Sequence, residues 1–233
     1  MADSFRLSSL SVFDDPVPGD GPWNMAVDQV LLESLASSES EPDAILRVYR
    51  WSTPYLSIGY FQKYAELENP DDLPVVRRWT GGGTVEHGED WTFSLIARRE
   101  CSIAKLPPPE TYCIIHTALA AALKDCGVAE TILSKSDQPH DGSGLKCFNS
   151  PVTDDLLLND KKIAGGAQRR SKFGLLHQGS VQFLKPPARL GSKFAQCLAD
   201  SIERRSSLND VETERSRRLV VDRYETEKWL TRR

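Results

Sequence analysis

The chain has no cysteine pair at Cys-x-x-Cys spacing. Its five cysteines, Cys101, Cys113, Cys126, Cys147 and Cys197, are odd in number and widely separated. That argues against a zinc site or a disulfide framework and fits a reducing cytoplasm; no metal is expected. No apolar run approaches the ~20 residues that a bilayer-spanning helix needs. The segment Met1-Ala2-Asp3-Ser4-Phe5 has no basic region leading into an apolar core, so no secretory signal is read there. There is no excess of positive charge either, and a net charge of −4 argues against a nucleic-acid binder that works by neutralising phosphates. Neither an internal repeat, nor a low-complexity tract beyond short loops, nor a Walker-type Gly-x-x-x-x-Gly-Lys-Ser/Thr loop is present. What remains is a globular composition, 39% hydrophobic and 27% charged. At 233 residues it is long enough for one domain, or one domain with a small appendage.

Gly21-Pro22 opens a helix, proline suiting the first helical turn, with Val27, Val30, Leu31 and Leu35 on one face. Residues 44–51 and Tyr55–Phe61 read as strands around the Pro54 turn, and Pro74–Trp79 and Thr84–Ala97 as two more. Pro107–Pro109 introduces a helix from about Glu110 to Cys126, stopped by Gly127. A polar loop, Ser134–Lys146, precedes strands near 154–158, 161–168 and 175–184. A helix is expected from Arg189 to Arg204, and a charged helical segment from about 208 to 233, with Val220, Tyr224 and Trp229 as anchors. Hairpin spacings with few helices predict an α+β fold rather than a doubly wound parallel sheet.

Two stretches carry chemistry. Arg77-Arg78-Trp79-Thr80-Gly81-Gly82-Gly83-Thr84-Val85-Glu86-His87 places a bare turn between two strands. Glycine lets backbone N–H groups approach a ligand, a row of them makes an anion cradle, and arginine adds forked positive charge. The same three glycines also suit a plain hairpin loop. Asp155-Leu156-Leu157-Leu158-Asn159-Asp160-Lys161-Lys162-Ile163-Ala164-Gly165-Gly166-Ala167-Gln168 reads as a strand, a tight polar turn, and a second strand ending on small residues. Pleat alternation puts Lys161 and Lys162 on opposite faces, with Lys161 as the solvated one. By position alone Lys162 is a hairpin lysine, and Cys147 by residue type alone is a buried, inert thiol.

Together these stretches resemble the lipoate-protein ligase and octanoyltransferase family, whose pattern is Arg-Arg-x-x-Gly-Gly-Gly-x-Val-x-His followed by Lys-Ile-x-Gly-x-Ala. The resemblance extends to Asn24-Met25-Ala26-Val27-Asp28 and Leu56-Ser57-Ile58-Gly59-Tyr60-Phe61-Gln62, and covers roughly residues 20–185. It implies a single catalytic domain over residues 1–233. Its fold would be a mixed, mostly antiparallel sheet with packed helices, the biotin/lipoate protein ligase fold, similar to class II aminoacyl-tRNA synthetases. It implies an enzyme attaching an octanoyl or lipoyl group to a lysine of lipoyl domains, those of 2-oxoacid dehydrogenase complexes or the glycine cleavage H protein, with acyl carrier protein as a donor. Neither nucleic acid nor membrane is an implied partner.

The resemblance makes Lys162 the active-site lysine. It also assigns substrate contacts to Arg78, Thr80, Gly81, Gly82, Gly83, Thr84, His87, Asp155, Gly165 and Ala167. Cys147-Phe148-Asn149-Ser150-Pro151 resembles the Gram-positive type of octanoyltransferase, where that cysteine carries the acyl group as a thioester. That route needs no cofactor. The alternative is an ATP-dependent lipoate ligase, which needs ATP and Mg²⁺ and to which Gly81-Gly82-Gly83 is closer; a third is a non-catalytic acyl- or lipoyl-domain-binding protein. An eight-carbon tail at ~0.8 kcal/mol per methylene is worth on the order of 5 kcal/mol when buried. Ile58, Tyr60, Val85, Phe93, Ile163 and Ala164 are expected either as its wall or as plain core. Arg77, Arg78, Lys161, Lys162, Arg169, Arg170 and Lys172 form a basic patch, read either as a steering surface for an acidic lipoyl domain or as a solvated face.

Overall fold

The computed structural model describes residues 5–37, 42–135, 151–182 and 185–232. The strands are β1 (Leu7–Asp14), β2 (Ala44–Tyr49), β3 (Tyr55–Ile58), β4 (Val75–Arg77), β5 (Val85–His87), β6 (Trp91–Arg98), β7 (Ile132–Leu133), β8 (Leu156–Leu158), β9 (Lys161–Ser171), β10 (Gly174–Val181) and β11 (Ala199–Arg205). The helices are α1 (Gly21–Leu35), α2 (Ser102–Lys105), α3 (Pro108–Asp125), α4 (Leu190–Leu198), α5 (Asp210–Leu219) and α6 (Glu227–Leu230), with a π-helical turn at Val220–Tyr224 between the last two.

Eight strands form one sheet in the order β11-β1-β2-β6-β10-β9-β8-β7, and β4-β3-β5 form a second, small one. Among the strands of the described residues, β1 with β11, β1 with β2, and β3 with β4 pair in parallel, and the other pairs are antiparallel. The fold is therefore the expected mixed, mostly antiparallel α+β arrangement. Helices α3 and α4 bury Ile115, Leu119, Leu123, Phe194 and Leu198 with Leu46, Phe93 and Leu95 of the large sheet. Val27, Leu31 and Leu35 of α1 pack with Phe13, Ile45, Ile96 and Leu176.

Helix α1 starts where Asp20 caps the Trp23 amide and Pro22 sits in the first turn. It is buried on more than its apolar stripe: Asn24, Asp28 and Gln29 are also inside. The C-terminal segment folds onto it. Tyr224 is buried with Met25, Tyr49, Trp51 and Val76, and Val220 and Trp229 pack on that cluster.

Two expectations need correction. The helix expected over Arg189–Arg204 stops at Leu198, and the chain continues as β11, a parallel partner on the open edge of β1. Edge pairing of backbone groups there overrides local helical preference. Strand β1 is not among the strands expected from the sequence. Thr84–Ala97 is not one strand: it breaks at Gly88–Asp90, leaving β5 in the small sheet and β6 in the large one. No helix among the described residues is long and apolar enough to cross a membrane.

Candidate active site

The lysine hairpin turns through Asn159 and Asp160, both at positive φ (50° and 61°), the backbone of a two-residue type I′ turn. Strand β9 then starts with Lys161 exposed and Lys162 only 5% exposed. The Lys162 ammonium lies 2.7 Å from Asp155 Oδ2. Its side chain runs across Gly165, where a Cβ would sit 2.6 Å from Lys162 Cε and 2.8 Å from Nζ. Asp155 is fully buried. It also accepts from the Val152 amide (2.8 Å) and from the Tyr112 hydroxyl of α3 (2.5 Å). That hydroxyl in turn accepts from the Gly166 amide at 2.9 Å.

The glycine turn meets the same strand. A Cβ on Gly82 (φ +83°) would stand 3.4 Å from Ala167 Cβ. The turn is tied from behind by Arg78, whose guanidinium donates to the carbonyls of Gly81 (2.8 Å), Gly83 (2.6 Å) and Ser57 (3.1 Å) and to Ser57 Oγ (3.0 Å). Gly59 packs so closely that a Cβ there would lie 2.0 Å from the Gly82 carbonyl oxygen. Arg77, fully buried, donates to the carbonyls of Gly59, Tyr60 and Gln62, and to that of Leu230 in α6. Trp229 donates back to the Arg77 carbonyl, so the C-terminal segment buttresses the loop beneath the turn.

Among the described residues an inner and an outer space open here. The inner one, about 430 Å³ counting the solvent at its mouth, is lined by Met25, Tyr49, Trp51, Val85, Gly165, Gly166, Ala167 and Gly179, with Ser57, Arg78, His87, Thr92, Gln178 and Ser180 as its polar members. The outer cleft, about 1190 Å³ counting the open solvent in it, is bounded by Gly81, Gly82, Pro108, Pro109, Tyr112, the segment 152–154, and Gly166–Gln168. Gly166 and Ala167 line both, so the two spaces share the glycine strand as a wall.

The polar groups of the inner space are bonded among themselves. His87 stacks on Trp51 (ring centroids 4.1 Å apart) between Ser57 Oγ and Asp90 Oδ2, each 2.8 Å from one ring nitrogen. Burial pushes the Asp90 carboxyl up. His87 beside it, with hydrogen bonds from His87, Ser180 and the Gly88 amide, outweighs burial and brings it down to about 2. Thr80 donates to Gln178, and Gln178 to Asp28. Asp28 shares the fully buried Arg47 guanidinium with Asp15 and Asn24. Gln62 ties Thr84 to the Gly59 amide. This network explains the Asn24–Asp28 stretch: α1 supplies polar pillars beneath the site.

The structure brings together Lys162, Asp155, Gly165, Ala167, Gly81, Gly82, Gly83, Arg78, Thr80, Thr84 and His87. Cys147 lies outside the described residues. Arg77, Arg78 and Lys162 are buried and leave the expected basic patch, because backbone carbonyls and Asp155 occupy them. Of the expected tail wall only Val85 lines the inner space. Ile58, Phe93, Ile163 and Ala164 are buried core residues, and Tyr60 stacks outside against Arg169 and Arg232. Tyr112, Ser57, Trp51, Asp90, Gln178 and Asp28 also belong to the site; Ser57 lies in the Leu56–Gln62 stretch and Asp28 in Asn24–Asp28, whereas nothing local singles out Tyr112. His177 sits away from the inner space, fully buried beside Phe93, Tyr112 and His116. Among the described residues no group of three His, Cys, Asp or Glu side chains is placed to hold a metal ion.

Residues 20–216 match the lipoyl protein ligase A/B catalytic domain model. The chain belongs to the lipoyl protein ligase A/B catalytic domain family. Within this family it is 30% identical over 214 residues to octanoyltransferase LipM of Staphylococcus aureus, covering 82% of this chain and 75% of that protein. It is 28% identical over 268 residues to octanoyltransferase LipM of Carboxydothermus hydrogenoformans, covering 94% and 98%. Several further proteins of that name match over 60% to 65% of their own length. In fold it is similar to a T. acidophilum protein solved with bound lipoic acid (TM-score 0.75, 20% identity, 98% of this chain and 100% of that one).

Proposed function

We propose that this chain is a protein octanoyltransferase of lipoate metabolism, working in the cytoplasm as a single catalytic unit. It moves an octanoyl group from a thioester donor, acyl carrier protein, to one lysine of a lipoyl domain. The observation that carries the reading is the convergence at β9. A buried ammonium, a bare tri-glycine turn and an apolar pocket meet on the Gly165–Ala167 strand. The relatives named octanoyltransferase LipM, similar over most of the chain, favour transfer over ATP-dependent ligation.

In the proposed mechanism the octanoyl tail enters the inner space between Trp51, Met25 and Val85. Cys147 exchanges with the donor thioester, keeping the acyl group and releasing the donor thiol. Its segment leads directly to Val152, which lines the outer cleft. The lipoyl-domain amine then attacks the Cys147 thioester; an amide forms, the C–S bond breaks, and the proton leaves the amine for the departing thiolate. Lys162 and the amides of the glycine turn stabilise the oxygen on which negative charge develops in both steps. Arg78 acts from behind the turn, holding its carbonyls away from that oxygen. Asp155 keeps the Lys162 ammonium in place.

Incubation with octanoyl-acyl carrier protein and apo lipoyl domain, read by intact-mass spectrometry, tests this. An octanoyl adduct on Cys147 that chases onto the lipoyl domain is expected, and Cys147→Ser abolishes both. Product formed by Cys147→Ser at the normal rate refutes the thioester route. The ligase reading rests on Gly81-Gly82-Gly83. It requires lipoyl domain modified with lipoate, ATP and Mg²⁺ and no acyl thioester.

A further inference from the structure

Helix α3 reaches the site through two side chains one turn apart. Residues i and i+4 lie above one another on a helix face, and here Tyr112 and His116 stack with ring centroids 4.0 Å apart. Both grip the same short segment. His116 Nδ1 donates to the Asp154 carbonyl at 2.7 Å, and the Tyr112 hydroxyl donates to Asp155 Oδ1 at 2.5 Å. Asp154 itself is at φ +67°, a left-handed position that aspartate tolerates better than most residues and that the His116 contact helps to hold.

The Tyr112 hydroxyl joins three parts of the site. It accepts from the Gly166 amide, donates to one Asp155 oxygen, and leaves the other Asp155 oxygen to the Lys162 ammonium and the Val152 amide. A carboxylate gripped on only one oxygen can rotate about its terminal torsion, which is broad; gripped on both, it cannot. The ring also borders the outer cleft.

We propose that Tyr112 is a positioning residue for acyl transfer. Clamped by the Gly166 amide, its hydroxyl locks the Asp155 carboxylate and thereby aims the Lys162 ammonium along the glycine strand. The effect on catalysis rests on the octanoyltransferase reading above. The effect on Lys162 does not.

Tyr112→Phe removes the one oxygen and keeps the ring against His116. Hydrogen bonds to charged groups translate into rate losses of about ten- to a hundredfold when they act in the transition state. A fall of kcat in that range is expected, with KM for the octanoyl donor changed less than about twofold. In an Asp155→Asn background, Tyr112→Phe costs little more, because the two act through one contact. An activity-independent measurement accompanies this: limited acylation by an amine-selective ester, quantified by peptide mass spectrometry. In Tyr112→Phe, labelling of Lys162 rises relative to the exposed neighbour Lys161, which serves as an internal standard. An unchanged Lys162-to-Lys161 labelling ratio overturns the proposal, as does a Tyr112→Phe enzyme with wild-type kcat. If the wild-type protein transfers no octanoyl group, the functional reading falls, and the labelling ratio still decides whether Tyr112 positions the lysine.

Discussion

Acid weakens this fold above the carboxylate range, through two histidines beneath the site. A backbone carbonyl can only accept, so the His116 contact to the Asp154 carbonyl puts the ring proton on Nδ1. A second proton would charge a fully buried ring. Burial lowers the His116 pKa most. The Asp155 charge and the Asp154 carbonyl oppose this, the Lys162 ammonium adds to it, and the result is a fall from 6.5 to about 4. The unfolded chain therefore takes up this proton near pH 6.5 and the folded chain only near 4, so the unfolded state binds more protons throughout the interval. The stabilisation is complete above pH 6.5 and is lost as pH falls towards 4. At about 1.4 kcal/mol per pH unit, a span of about 2.5 units amounts to about 3 kcal/mol. His177, held well below 6.5 by burial and by His116, acts with the same sign. Urea unfolding followed by tryptophan fluorescence at about pH 7, 6 and 5 measures the slope. His116→Gln, which cannot take up the proton, flattens part of it. Equal unfolding free energies at pH 7 and 5, or a wild-type slope retained in His116→Gln, would refute this account.

Two neighbouring glycines separate function from stability. Gly165→Ala drives its Cβ into the far end of Lys162, a flexible side chain that yields; transfer activity falls at least about tenfold while the melting temperature shifts by only a few degrees. Gly166→Ala instead meets the buried His177 ring, 2.5 Å from its Nε2, and lowers unfolding free energy by about 1–3 kcal/mol in denaturant titration. Asp28→Asn leaves Arg47 buried without one of its counter-charges and costs about 3–5 kcal/mol by the same titration. Below pH 4 the Asp90 carboxylate adds a further loss: its stabilisation is present above pH 3.8 and disappears as pH falls through about 2, about 2 kcal/mol read from the acid limb of the unfolding curve.

Local chemistry was legible wherever it depends on contiguous residues. Asn159-Asp160 dictates a tight turn, the pleat then separates Lys161 from Lys162, and three glycines announce a bare bend. The α+β class follows from the same spacings. Strand β11 was not legible, because its pairing with β1 is set by an open sheet edge rather than by its own side chains.

The sequence by itself determined the lysine hairpin, the glycine turn and their membership of one family pattern, since each is a short-range property of φ, ψ and side-chain alternation. Only the tertiary structure decided what the charged groups do. Arg77 and Arg78 read as members of an open basic patch, yet the fold buries them against backbone carbonyls, because an interior guanidinium must satisfy its donors. Tyr112 and Asp28 gained their places under the site in the same way, through contacts with residues 54 and 19 positions away, a separation that no local pattern encodes.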